Sequence, residues 1–449
     1  MAASGSIVEV RKPLNILIIG GSLGGLMAGF LLKRNGHNVT ILEQAASSER
    51  EGLAAGIGFS LHVRTFFENE LGIDGSVLGV LHKGFEVLDD KLNVQYFIPR
   101  EMRMTSWDCA YYQTRAKFDG LKSSYIEHPE KIETEGTGTY ETGKRTLKVE
   151  PSEKHLTAVV EDVATGITQH YKSDIIIAAD GANSSTRRQL NPNLAREEPG
   201  YILWRGTVPT GDLPDNIRAR IENRALIYPG KYTYAVIYTI PGDRGSLKPG
   251  ENQINIAWYF WPTSPTIAEI MTDTDGHQHR TTVPKGKLRP EIWASQVEAS
   301  KPLLPPEIYD LITRIKQPFV TVVSSISAPK AAYFDNRLFL LGDALTQSQP
   351  NSGMGTNLAA YAAYGLADVI GKAGISSSGQ GGEVLPAGTL VDPKKVAAWE
   401  QNVLAHNEIT RVHAVAFGSW YLHSWPVVAL RYARWWVLKW WYAPKDRLF

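Results

Sequence analysis

The sequence predicts an α/β fold in which a parallel sheet is assembled from separated pieces of chain and a β-rich domain is inserted between them. Three observations carry this. The apolar run Leu14 to Ile19 meets a glycine turn and then a stretch of helix formers. Two further short apolar runs, Ile175 to Ala179 and Leu338 to Leu341, each end beside an Asp-Gly or Gly-Asp pair. Between them lie stretches rich in Tyr, Trp, Ile and Val. Continuous apolar runs suit strands buried on both faces, whereas aromatic and β-branched stretches with polar turns suit an antiparallel sheet.

Each element follows in order. Leu14 to Ile19 is the first strand, Gly20 to Gly25 the turn and Leu26 to Arg34 the helix, stopped by Asn35-Gly36. His37 to Leu42 returns as a second strand with Glu43 at its end. Gly84 to Arg100 and Thr146 to Asp174 read as β-rich, with residues 128–144 between them as an exposed loop or hairpin. Tyr201 to Val208, Arg224 to Ile240 and Gln253 to Trp261 are three strands of the second sheet. Arg337 to Leu341 is again a parallel-type strand, a helix runs from about Gly355 to Ile370, and Ala373 to Leu390 is a Gly/Ser-rich linker. The expected organisation is a discontinuous nucleotide-binding domain (1–83, 105–190 and 327–372), a β-rich substrate domain (84–104 and 191–326), a linker (373–393) and a helical C-terminal segment (394–449).

Composition narrows the function classes. A length of 449 residues fits two or three domains. Forty-seven basic against 46 acidic residues give a net charge of +1, which argues against an overall nucleic-acid footprint. The single cysteine, Cys109, excludes an intrachain disulfide framework and a zinc site built from several thiolates, so no metal is expected. Met1 to Pro13 has no apolar core of signal-peptide length, and Leu14 to Gly20 is too short to span a bilayer. A cytoplasmic enzyme is expected.

Three motifs carry chemistry. In Gly20-Gly21-Ser22-Leu23-Gly24-Gly25, Gly20 and Gly25 hold the first and third glycine places of a dinucleotide fingerprint, and Ser22 replaces the second. The turn aims a helix N-terminus at a pyrophosphate, and Glu43 is placed to accept from ribose hydroxyls. The second motif, Asp180 to Arg187, and the third, Gly342-Asp343-Ala344 followed by Pro350, Gly353, Gly355 and Asn357, each follow an apolar strand. Alone, either Asp-Gly pair reads as an ordinary turn. The order of all three points to a bound dinucleotide.

In this order the motifs resemble the single-component (class A) flavoprotein monooxygenases, the aromatic hydroxylase group that includes 4-hydroxybenzoate hydroxylase. With Thr105-Ser106-Trp107-Asp108, Trp204-Arg205-Gly206 and Trp258-Tyr259, the chain is most similar to the 2,6-dihydroxypyridine 3-hydroxylase branch, over roughly residues 14 to 370. The resemblance implies a Rossmann-type FAD-binding domain and FAD held by Gly20, Ser22, Leu23, Gly24 and Trp107. Glu43 would lie on the adenosine ribose and Asp343 by the ribitol and pyrophosphate. The loop Ala55-Gly56-Ile57 would pass near the isoalloxazine, and Gly353, Gly355 and Asn357 would line its pyrimidine side. Asp180-Gly181 would serve both FAD and NADPH or NADH. The reaction implied is hydroxylation of an electron-rich aromatic or heteroaromatic small molecule by O₂ through a flavin C4a-hydroperoxide. Thr346 departs from the family, which often has His after the Gly-Asp-Ala stretch. An acidic residue is missing from Leu358 to Ala363, and an Arg common in the family at the start of the helix near Trp107 is replaced or displaced.

Substrate contacts are expected on the inserted sheet. Arg205, on the opposite strand face from Trp204, is a candidate for a substrate carboxylate or phenolate. Tyr228, Tyr234, Trp258 and Phe260 are candidates for an aromatic pocket, and His62 for acid–base chemistry. Cys109 reads as a buried small residue. The C-terminal Trp420, Trp425, Trp435, Trp436, Trp440 and Trp441, interspersed with Arg431, Arg434 and Lys439, are expected to pack inward with the cations outward; a membrane surface or a homodimer contact is the alternative. Interspersed charge excludes a spanning helix. Alternative functions are a decarboxylating hydroxylase of an aromatic acid, another flavin oxidoreductase such as a halogenase, or a non-catalytic binding protein. The Trp-x-Trp-x-Ile-Pro signature of halogenases is absent.

Overall fold

The computed structural model describes residues 12–47, 56–130, 132, 136–373 and 389–442. Ala55 and linker residues 374–388 lie outside them. A six-stranded sheet runs in the order Ala332–Tyr333, Leu338–Leu340, Ile175–Ala178, Asn15–Ile19, Asn38–Leu42 and Gly138–Glu141, parallel except at the first pair. In the strand Asn15–Ile19 the four residues after Asn15 are apolar and buried because both faces are covered. Ile16 and Ile18 pack with Leu26 and Phe30 of the helix Leu23–Arg34, while Leu17 and Ile19 pack with Val149 and Leu156 of a three-stranded meander over residues 144–173.

The sixth strand corrects the loop or hairpin expected at 128–144. Gly138–Glu141 adds parallel to residues 39–42. A four-residue edge strand of Gly, Thr, Tyr and Glu carries no apolar run, so nothing in its composition announces it.

A nine-stranded sheet forms the second body, in the order Thr282–Val283, Phe319–Val322, Ile202–Pro209, Gln253–Phe260, Thr233–Ile240, Ala225–Gly230, Val80–Leu88, Val94–Ser106 and Gly56–Phe59. The single strand expected over Arg224 to Ile240 is two strands of a hairpin, turned at Lys231 and Tyr232, where Tyr232 takes φ +59°. Gly56–Phe59 pairs with residues 103–106, so this sheet draws strands from both sides of the expected boundary at 83/84. Helices Asp215–Ile221, Pro290–Ser300 and Pro306–Thr313 cover its outer face.

The 30-residue helix Pro393–Leu422 packs on the helix Gly355–Ile370 and the turn Pro350–Ser352. The helix Trp425–Tyr442 folds back along it. Contrary to the inward packing expected, Trp436, Trp440 and Trp441 point outward (59%, 79% and 73% exposed), while Val428 is buried and Arg431, Tyr432, Trp435 and Lys439 lie half-buried. Among the described residues no helix is long and apolar enough to cross a membrane.

Candidate functional site

A cavity of about 420 Å³ opens where the two sheets meet. One end is built by two helix N-termini. Ser22 stands at the N-cap of helix 23–34 and Met354 at that of helix 355–370, and neither side chain caps its helix. First-turn N–H groups without caps attract anions and electron-rich edges. Ser22, Leu23 and Gly24 line the cavity from one helix, Gly355 and Thr356 from the other, with Gly353 beside them. Two such termini converging on one cavity fit a ligand with a pyrophosphate and an electron-rich ring edge, as FAD has.

The turn leading into the first helix is as tight as glycine allows. Gly20 takes φ +101°, and a Cβ on Gly25 would lie 2.0 Å from the Gly20 carbonyl oxygen. The Gly21 N–H donates to Glu43 (3.0 Å), whose other oxygen accepts from Ala45 N–H (2.9 Å). Tyr140, on the unforeseen edge strand, donates to the Gly21 carbonyl (2.9 Å), and the Arg115 guanidinium lies 3.5 Å from the centre of its ring. Trp107 lines the cavity and stacks on Tyr111 at 4.7 Å.

The second and third motifs are joined by Arg187. Its guanidinium donates to the carbonyls of Asp343 (2.8 Å), Ala344 (3.0 Å) and Ala182. Asp180 is turned away from the cavity wall and accepts from the Ser184 hydroxyl (2.5 Å) and the Thr186 N–H (3.1 Å) at the start of helix Ser185–Leu190. Asp343 does line the cavity, and its open side faces that space. Enclosure by protein on its other sides pushes its pKa up to about 6, against the pull of Arg187 and Arg196. An unfolded chain ionises this carboxyl first, so native stability falls as pH rises through that interval, and the cost is complete above about 6. Asp343→Asn should therefore match the parent near pH 3 and exceed its stability near pH 7 in thermal melts of FAD-free protein, by an amount that water at the exposed side of the carboxyl reduces.

The other end of the cavity is the inner face of the nine-stranded sheet, and strand register decides who faces it. Cross-strand partners share a face. Arg205 is level with Ala257, Val236 and Ile227, and this whole row lines the cavity. The neighbouring row, Trp204, Trp258, Ala235 and Tyr228, points to the opposite face and into the outer core. The expected pocket residues Trp258 and Tyr228 are thus not in the cavity. Trp258 Nε1 donates to Thr233 Oγ1 (2.7 Å) and Tyr228 to Asp90 (2.7 Å). Phe260 packs on Trp258. Tyr234 is on the inner side but behind the wall, stacked on Tyr259 at 4.1 Å and donating to Asn351 Oδ1 (2.8 Å). Asn351 in turn donates to Tyr201 (2.9 Å) and to the Ala414 carbonyl (3.2 Å), fastening the C-terminal helix to the back of the site.

Arg205 is partly committed to the fold. Its Nη2 donates to the Gly56 carbonyl (2.7 Å), which also accepts from Tyr238 (2.9 Å), while the Gly56 N–H donates to Asn255 Oδ1 (2.8 Å). Gly56 lines the cavity, so the sheet fixes the cofactor-side loop on three hydrogen bonds. His62 lies outside the wall, with its ring 5.1 Å from that of Tyr361, and burial lowers its pKa. Its backbone N–H donates to Asn357 Oδ1 (3.1 Å), so Asn357 also has a structural partner. Cys109 is buried, and burial pushes its thiol up to about 11. Thr346 accepts from Asn407 Nδ2 (3.0 Å) inside the fold. The residues that sequence reasoning missed are Arg100, Met102, Met104, Tyr238 and Asn255, and only strand parity would have signalled them.

Comparison with known proteins agrees with this geometry. The family model "FAD binding domain-like" matches residues 199–325. The chain is 25% identical over 370 residues to 2,6-dihydroxypyridine 3-monooxygenase of Paenarthrobacter nicotinovorans, covering 80% of this chain and 83% of the relative. Its fold is similar to that of 2,6-dihydroxypyridine-3-hydroxylase from Arthrobacter nicotinovorans (TM-score 0.75, 22% identity, 92% and 94% of the two chains). It is also similar to a salicylate hydroxylase substrate complex (TM-score 0.65, 16% identity, 97% and 96%). With two uncapped helix N-termini facing an apolar sheet across one cavity, and with these relatives, the chain is an FAD-dependent monooxygenase that resembles, within the single-component aromatic hydroxylases, the 2,6-dihydroxypyridine 3-hydroxylase branch.

Proposed function

We propose that the protein hydroxylates an electron-rich aromatic or heteroaromatic small molecule, using NADH or NADPH and O₂. The observation that carries this is a shared cavity that joins the two helix N-termini to the row Arg205, Ala257, Val236 and Ile227. Bound FAD, reduced by the nicotinamide, supplies the oxygen-transfer chemistry. The chain's part is to bind, orient and exclude water. Met102, Met104, Leu203 and Ile227 give the ring an apolar wall, and Arg205, Tyr238 and Asn255 hold the Gly56 peptide in place. Burial raises the pKa of both Tyr238 and Tyr259, so each keeps its proton, and Tyr238 donates it to the Gly56 carbonyl rather than acting as a base. The test is NAD(P)H oxidation by the FAD-loaded protein against a panel of phenols, hydroxypyridines and aromatic acids. At least tenfold acceleration by one compound supports the reading, and uniform rates across the panel count against it.

The outward stripe of the last helix belongs to the same proposal as a contact with an anionic membrane surface. Leu430, Trp436, Val437, Trp440 and Trp441 are exposed on one side, and residues 425–442 contain Arg431, Arg434 and Lys439 but no acidic residue. Indole rings and flanking cations suit the headgroup layer. The protein should co-sediment with vesicles containing phosphatidylserine and not with phosphatidylcholine alone, and W436S/W440S/W441S should abolish it. A concentration-dependent dimer that ignores vesicles would contradict this assignment.

A further inference from the structure

We propose that Phe417, on the long C-terminal helix, is the residue that sets substrate size: its ring closes the cavity between the turn Pro350–Ser352 and the nine-stranded sheet, so that one ring is admitted and a second, fused ring is excluded. This rests on the aromatic hydroxylase reading above. Among the described residues that line the cavity, Phe417 alone comes from the helices after residue 390. Its helix packs on the turn Pro350–Ser352 and on the strand Thr233–Ile240, and its half-buried ring lies against the apolar cluster of the inner face that includes Met102, Met104, Leu203 and Ile227.

The neighbouring glycine brings the helix this close. A Cβ on Gly418 would lie 2.1 Å from Asn351 Nδ2, the atom that also donates to the Ala414 carbonyl (3.2 Å). Any side chain at 418 would push the helix away from the turn, and Phe417 with it. The ring is then held from both sides by residues one helical turn away, which share its face. Tyr421 meets it at 5.6 Å and itself packs at 4.9 Å on Tyr234, behind the cavity wall. His413 lies 6.2 Å away on the other side and 4.8 Å from Trp435 of the last helix. Phe417 cannot swing aside without displacing these neighbours, so it acts as a fixed wall.

Space points the same way. An apolar cavity of about 150 Å³ holds one benzene ring, so the volume of about 420 Å³ here, shared with the three-ring isoalloxazine, leaves room for little more than one further ring. The polar groups on this wall are fixed by the fold: Arg205 and Tyr238 both donate to the Gly56 carbonyl, and Asn351 donates to Tyr201. They hold backbone and helix in place and leave size to the apolar side chains. Burial alone would favour a two-ring compound over a one-ring compound, because it hides more apolar surface. Exclusion of the larger one therefore needs a rigid obstacle, and Phe417 supplies it by steric clash. Trimming this ring extends the cavity toward His413 without touching the sheet or the glycine turn.

The test titrates the FAD-loaded protein with phenol, 3-hydroxypyridine, 1-naphthol and 2-naphthol, reading flavin absorbance changes. The parent should bind at least one single-ring compound about tenfold more tightly than either naphthol. F417A should bind at least one naphthol about tenfold more tightly than the parent does, with the single-ring compounds within about threefold of their parent values. F417L, which trims less, should shift the same way by about threefold and keep the FAD content and melting of the parent, so the test stands even where F417A does not fold. Naphthols bound by the parent as tightly as phenol, variants that shift every compound equally, or no flavin perturbation by any of the four overturns the proposal. A selective gain for naphthol with no compound accelerating NAD(P)H oxidation in any variant would support the size filter and sink the hydroxylase reading instead.

Discussion

Gly25→Val should yield a protein that purifies without flavin, with FAD affinity lowered at least about 100-fold, or roughly 3 kcal/mol. The cause is geometric. A Cβ at Gly25 would sit 2.0 Å from the Gly20 carbonyl oxygen, and both belong to backbone that cannot rotate away. The turn must open, and with it the alignment of the first-turn N–H groups at Ser22, Leu23 and Gly24. Gly24→Ala is the matched control. A Cβ there meets only the Ala359 and Leu341 side chains at 3.4 Å, which is ordinary contact. That variant should fold and keep FAD within about tenfold of the parent, as measured by flavin fluorescence titration. Equal losses in the two variants would mean that the turn geometry is not what holds the cofactor.

Arg187→Met should be the most destabilising single change away from the glycine turn. Arg187 is 2% exposed and its guanidinium holds the carbonyls of Asp343, Ala344 and Ala182. Removing it leaves buried acceptors without donors and separates the loop after residue 180 from the loop after residue 342. A loss on the order of 3–5 kcal/mol follows, read as a lower denaturant midpoint at unchanged slope. Arg187→Lys keeps the charge but not the planar fork, so it should recover less than half of the loss. A midpoint within experimental error of the parent for Arg187→Met would show that the two loops are held by other contacts.

Much of the cofactor end was legible in the sequence because its signals are local. Leu14 to Ile19, the glycine turn and the following helix are contiguous, and each has a period or composition that only one conformation satisfies. The substrate end depends on register, which links residues far apart in the chain. Arg205 and Trp204 were correctly placed on opposite faces by alternation within one strand. Tyr228 and Trp258 were grouped with the pocket because nothing in the sequence says that they are level with Trp204 across the sheet. Arg100 escaped notice for a related reason. Its stretch is read as ending there, whereas the strand continues through a bulge to Ser106 and carries Met102 and Met104, which line the cavity with it. Tyr140 was hidden in a polar, Gly/Thr-rich segment whose strand pairing is supplied by the neighbouring strand.

Product analysis under ¹⁸O₂ tests the central claim most directly. The FAD-loaded protein, given NAD(P)H and the aromatic compound that most accelerates its oxidation, should form a product heavier by about 18 mass units, one labelled oxygen in place of none, as expected if the bound flavin delivers an atom of O₂. Label appearing only in hydrogen peroxide, with the aromatic compound recovered unchanged, would contradict the assignment as an aromatic hydroxylase.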